Sequence, residues 1–154
     1  MIARPSSRQL LETVRTELRT TIKHAVTDAD ALARLDMIDS ILGSVIMRSD
    51  DEVAWLREEI AAIERAGDAV LADGADGTGQ VAAALAVLRA NRATSYRLPD
   101  LHAEYNLAGE VLSRAVEAGS RAGGRLRRTV EEVLEERLRR EVLIRGEFSL
   151  AGRI

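Results

Sequence analysis

The sequence predicts an all-α protein: an up-and-down bundle of five or six helices with a long helical hairpin at residues 28–71. Three observations predict it. Aromatic residues make up only 3% of the chain while charged residues reach 31%, and Ala, Leu, Glu and Arg recur throughout, whereas sheets draw on aromatic and β-branched side chains. Apolar residues repeat at three- and four-residue spacing over long stretches. The breaks between those stretches are short and carry helix start and stop residues. The length of 154 residues fits a single helical domain over 1–154, with loops near 73–79, 93–98 and 119–124 and a tail at 146–154.

The first helix is expected from Ser6 or Ser7 to about Val26. Ser6-Ser7-Arg8-Gln9 has the form of a capping box, in which a serine oxygen takes an orphan backbone N–H and the glutamine reaches back. Leu10, Val14, Leu18 and Ile22 stack at i+4, and Leu11 and Ala25 widen the stripe. Arg4-Pro5, Leu10-Leu11, Val14-Arg15 and Leu18 together resemble the opening of an uncharacterised bacterial family of small helical proteins. Genes of that family often sit beside those of aminoglycoside-phosphotransferase-like and acyl-CoA-dehydrogenase-like enzymes. The resemblance spans about the first twenty residues. The family carries an Asn-bearing motif in its second helix, and Leu35-Asp36-Met37-Ile38 stands there instead. The resemblance implies an accessory protein near such enzymes and carries over no catalytic residue.

The second helix starts after Thr27, with Asp28 and Asp30 placed to suit the positive end of the helix dipole. Leu32, Leu35, Ile38, Leu42, Val45 and Ile46 form its predicted buried stripe, and Met37 and Ile41 widen it enough for two neighbours. Gly43-Ser44 inside the pattern suggests close helix approach. Ser49-Asp50-Asp51-Glu52 reads as a second capping box. The third helix then runs to about Leu71 on a seam of Val53, Leu56, Ile60, Ile63, Gly67 and Val70, with Trp55, Arg57, Glu58 and Glu59 outside it. So short a connection implies an antiparallel neighbour.

Asp73 to Gly79 is a loop by composition. Gly74 and Gly79 have phosphate-loop spacing, but Gln80 and Val81 replace the Lys and Ser/Thr that such a loop needs. Asp73 and Asp76 lack the spacing and the closing Glu of a calcium loop. The fourth helix, from Thr78 or Gly79 to Asn91, has Val81, Leu85 and Leu88 on one face, with small alanines around them that suit the interior of a bundle. Pro99-Asp100 opens the fifth. Its face is Leu101, Tyr105, Ala108, Leu112 and Ala115, flanked by Val111 and Val116, and Gly119 reads as its stop. The last helix, from Gly124 or Arg125 to Arg145, has Leu126, Val130, Val133, Leu134, Leu138 and Val142 among paired charges such as Arg127–Glu131 and Glu136–Arg140. Phe148, Leu150 and Ile154 keep the tail apolar, as if to tuck onto the bundle or onto a partner.

Chemistry is sparsely encoded. There is no cysteine, so thiol nucleophiles, disulfides and thiolate metal sites are excluded. The two histidines, His24 and His102, lack the Glu three residues earlier that di-iron bundles use. His102-Ala103-Glu104 matches one fragment of a zinc deaminase signature whose cysteines do not exist here. His102, Asn106 and Glu110 share one polar helix face, and with Tyr96 and Tyr105 they form a candidate ligand rim. The acids Glu58, Glu59, Glu64, Asp68, Glu132 and Glu135 invite comparison with helical nucleotide pyrophosphatases, but the paired Glu-x-x-Asp element is missing, and surface ion pairs explain them more simply.

Arg121, Arg125, Arg127 and Arg128 form a candidate basic patch. Residues 121–145 carry eight Arg and five Glu, net +3, within a chain of net charge −3. Glu131 and Glu132 follow the patch at once, and no aromatic is interleaved for base stacking, which disfavours nucleic acid as a partner.

The leading expectation is a non-catalytic helical interaction or accessory protein that self-associates, in its simplest form a homodimer, or takes a protein partner. One alternative is a small-ligand-binding bundle or enzyme with a pocket near Tyr96, His102 and Tyr105. The other is nucleic-acid binding through Arg121–Arg128. No catalytic, cofactor or metal residue is assigned, and no cofactor is expected. The opening residues have no apolar stretch of signal-peptide length and no run is long enough to span a bilayer, so the expectation is a cytoplasmic chain with no membrane partner.

Overall fold

A computed structural model describes residues 4–74, 77–122 and 124–145. The tail at 146–154 lies outside the described residues. Among the described residues there are six helices and no strand. The first, α1 (Ser7–Glu17), runs on through a π-helical turn (Leu18–Ile22) into a last turn (Lys23–Ala25). It is followed by α2 (Ala29–Ser49), α3 (Glu52–Asp73), α4 (Thr78–Ala90), α5 (Leu98–Ala122) and α6 (Gly124–Arg145). No described helix is long and apolar enough to cross a membrane. The chain divides into two compact units, Met1–Glu52 with Val142–Ile154, and Val53–Glu141.

In the first unit the α1 capping box forms as the sequence predicts. Ser6 Oγ accepts from the Gln9 N–H and the Ser6 N–H donates to Gln9 Oε1. Asp28 caps α2 by accepting from the Ala31 N–H at 2.8 Å. The second capping box does not form: the Ser49 hydroxyl turns back to donate to the Ile46 carbonyl, so Ser49 ends α2 and does not start α3. The Lys23 N–H donates to the Leu18 carbonyl, five residues back, which defines the π turn. That turn widens the spiral, so Arg15, Arg19 and Lys23 stay in line along α1 rather than drifting around it. Arg15 and Arg19 both grip Asp39 of α2, at 2.9 and 2.7 Å from their Nε atoms, and Lys23 reaches Asp36. At Gly43 of α2 the Arg15 guanidinium of α1 lies across the helix, 3.0 Å from where a Cβ would stand.

Hydrogen bonding from Arg15, with Arg19 adding to it, lowers the Asp39 carboxyl from an ordinary 3.8 to about 2. A lowered acid pKa contributes stability that is present above pH 3.8 and is lost as pH falls through about 2. Arg19 is more than half exposed, so screening limits this contribution to about 1 kcal/mol. Asp39→Asn is expected to remove it. Acid titrations followed by far-UV circular dichroism should show the variant lacking that acid-labile component while the unsubstituted chain keeps it.

In the second unit the predicted seam of α3 is buried at Leu56, Ile60, Ile63, Gly67 and Val70. It meets Val81, Leu85 and Leu88 of α4, Ala108, Val111, Leu112, Ala115 and Ala118 of α5, and Leu126 and Val130 of α6. Gly67 is a packing glycine. A Cβ there would stand 3.0 Å from both Leu85 and Val111, which are themselves buried. Gly67→Ile is therefore expected to cost about 3 kcal/mol through overpacking, read as a lower urea midpoint with an unchanged m-value.

Three helix expectations are corrected here. Gly119 does not stop α5, which continues to Ala122; it lies buried against α6, with Val130 and the Arg127 backbone at ordinary contact distance from where a Cβ would stand. Helix α4 is not interior, because Ala82, Ala83 and Val87 face away from the core and are exposed. The apolar stripe of α6 is buried only at Leu126 and Val130, and Leu134 and Leu138 are exposed. Farther along, α6 rests its arginines on α3: Arg140 donates to the Trp55 carbonyl and to Glu58, and Arg137 lies 3.6 Å from Glu59.

Candidate functional site

The predicted rim residues are placed by α5 and the connector before it. His102, Asn106 and Glu110 do share one face of α5, and all three are exposed. Tyr96 is exposed on the connector, with the Arg57 guanidinium 5.6 Å from its ring centre. Tyr105 is half-buried. Its hydroxyl donates to Glu59 at 2.7 Å, and Arg137 stands over its ring. Burial, then the Glu59 carboxylate, pushes the Tyr105 phenol well above its ordinary value, so it stays a neutral donor through the physiological range. The two tyrosines are thus held by different residues of α3. Between α4 and α5 lies a hollow of about 370 Å³ lined by Gln80, Ala83, Ala84, Val87, Leu107, Glu110 and Arg114. Of the predicted rim, only Glu110 reaches it.

The group that sequence reasoning missed is Glu104. In the sequence it stands out only as the last residue of the His102-Ala103-Glu104 fragment, yet it is 1% exposed. Its Oε2 accepts from Arg57 at 2.8 Å and from the Ala93 N–H at 3.1 Å. Arg57 also donates to the carbonyls of Ala93 and Ser95. One buried ion pair therefore pins the connector between α4 and α5 onto α3. The signal was available in the spacing: Leu101, Glu104, Ala108, Val111 and Ala115 form a clean i, i+3, i+4 stripe in which Glu104 occupies an apolar position. A charge on a buried face needs a partner, and Arg57, whose side chain is 31% exposed, reaches in to supply it.

The α3 acids Glu58, Glu59, Glu64 and Asp68 are each ion-paired with an arginine from another part of the unit. Glu64 of α3 pairs with Arg89 and Arg92, and Asp68 with Arg89. The Arg89 hydrogen bond, helped by Arg92, lowers the Glu64 pKa. Among the described residues no group of three or more His, Asp or Glu is placed to hold a metal ion. The basic patch is split across the α5–α6 junction: Arg121 is in the last turn of α5, and Arg125, Arg127 and Arg128 open α6, all exposed. Arg127 is engaged by Glu131 at 2.7 Å, which reduces what the patch can offer a phosphate.

The largest departure from expectation is in the first unit. Leu10, Val14 and Ile22 of α1, and Met37, Ile38, Ile41 and Val45 of α2, are 40–58% exposed. Ile46 is the one buried side chain among the described residues of α1 and α2. The side of α2 that holds Leu32, Leu35, Asp39, Leu42 and Ile46 is the shielded one, and the side that holds Met37, Ile38, Ile41 and Val45 is open. The two neighbours predicted for α2 are therefore half realised, since α1 supplies one. Comparison of the chain with family models, with curated proteins and with solved structures finds no match.

Proposed function

We propose that the chain is a non-catalytic helical interaction protein that self-associates through its first unit. One observation carries this reading: seven large apolar side chains stand exposed on a layer of two helices that buries only Ile46 among its described residues. Two helices cannot enclose a core, and such a layer reaches a stable arrangement by stacking on another. Two copies of an α1–α2 layer make a four-helix bundle. Together the seven half-exposed side chains leave roughly 500 Å² of apolar surface in water over the two helices of each copy. Light scattering at micromolar concentration tests it: a mass of two copies is expected, and a strictly single-copy mass would remove the proposal.

A second reading rests on the hollow between α4 and α5. Its volume of about 370 Å³ lies within the range of small-molecule sites, and Ala83, Ala84, Val87 and Leu107 give it an apolar floor with Glu110 and Arg114 at the edge. An apolar fluorescent probe is expected to bind the chain, and Ala84→Trp, which fills the hollow, to lower its affinity at least ten-fold. Equal binding by both proteins would dismiss the site.

A further inference from the structure

We infer that α2 pairs with α2 of a second copy in antiparallel orientation, about a two-fold axis level with Asp39. This rests on the self-association reading and goes further, because it names the seam and its register. Asp30, Met37, Ile41 and Arg48 recur at spacings of seven, four and seven residues, which places all four along one line of α2. Ile38 and Val45 flank that line, and Met37, Ile38, Ile41 and Val45 are all exposed.

The line is symmetric about the level of Asp39. Reversing one copy sets Met37 against Ile41 of the second copy and Asp30 against Arg48 of the second copy, each pair twice. Asp39 itself lies on the other side of the helix, held by Arg15 and Arg19 of α1, so it is not drawn into the seam. Parallel pairing would instead oppose Asp30 to Asp30 and Arg48 to Arg48, which like-charge repulsion disfavours. Asp30 is exposed, and Arg48 keeps 44% of its side chain exposed while pairing with Glu52. Asp30 of the second copy would thus share the Arg48 guanidinium with Glu52 at the end of the apolar segment. An interface with an apolar centre and opposite charges at its rim has the anatomy of a specific contact.

The absence of cysteine from the chain makes the test direct. Asp30 and Arg48 stand about 27 Å apart along the helix axis, so in the antiparallel seam neither position meets its own counterpart. Asp30→Cys and Arg48→Cys chains are mixed, allowed to exchange and mildly oxidised. The mixture is expected to give at least ten-fold more disulfide-linked two-copy product than either variant alone. Efficient linking by each variant on its own would show a parallel seam and overturn this register while leaving self-association standing. A two-copy mass without any cross-link would place the contact elsewhere and overturn the seam likewise. A single-copy mass for the unsubstituted chain would overturn both.

Discussion

Arg57→Ala is expected to destabilise the Val53–Glu141 unit by about 3–5 kcal/mol, the usual cost of stripping the partner from a buried charge. Glu104 sits at 1% exposure between α3 and α5, and its Oε1 has no hydrogen-bond partner among the described residues. Its compensation is concentrated in Oε2, through Arg57 and the Ala93 N–H. Removing Arg57 leaves one amide as the protein's balance for that carboxylate, with whatever water the vacated, partly exposed Arg57 position admits. The same change frees the Ala93 and Ser95 carbonyls and takes the cation from Tyr96, so the connector before α5 loosens as the unit weakens. Urea unfolding of Arg57→Ala reads the first effect, and faster amide exchange at Ala93 reads the second. The double variant Arg57→Met with Glu104→Leu is expected to recover most of the loss, because a pair of apolar side chains leaves no charge uncompensated. If the double variant is as unstable as the single one, packing rather than charge holds that corner.

Helix positions in this chain were legible because each helix carries its own local signals. The Ser6 box, the Asp28 cap, the short break after Ser49 and the Gly77–Thr78 start all act within a few residues, and such signals need no knowledge of the rest of the fold. The seam of α3 was legible for the same reason, since one apolar stripe of ordinary width has one face to bury. Periodicity could not say whether a second stripe finds a neighbour in the same chain. Ile38 and Ile46 look equivalent as members of one pattern, yet Ile46 is 5% exposed and Ile38 40%. The candidate site was less legible still. His102, Asn106 and Glu110 were found by their shared face and do share it, but a shared face does not make a cavity. Spacing places Glu104 on the buried stripe of α5, but it cannot name the partner, because Arg57 lies 47 positions away.

Ile41→Asp is expected to weaken self-association at least a hundred-fold while leaving the folded chain intact. In the single chain Ile41 is 54% exposed, so an aspartate there keeps its water, and surface changes of this kind stay within about 0.5 kcal/mol. In the paired state the same side chain would lie at the middle of an apolar seam opposite Met37 of the second copy, and the two-fold symmetry would bury two new carboxylates at once. Each would lose its hydration, a cost of several kcal/mol of which Arg34 of the second copy, three residues along the axis in this register, offsets only a part. The two states therefore respond in opposite proportion: monomer stability hardly moves and the dissociation constant rises steeply. Sedimentation across a concentration series measures the second, and thermal unfolding under dilute conditions, where single copies prevail, measures the first. Ile41→Met, which keeps volume and apolarity, should behave as the unsubstituted chain in both. Loss of folding in Ile41→Asp at high dilution would instead mean that Ile41 is needed within its own chain, and the open face of α2 would lose its standing as a contact surface.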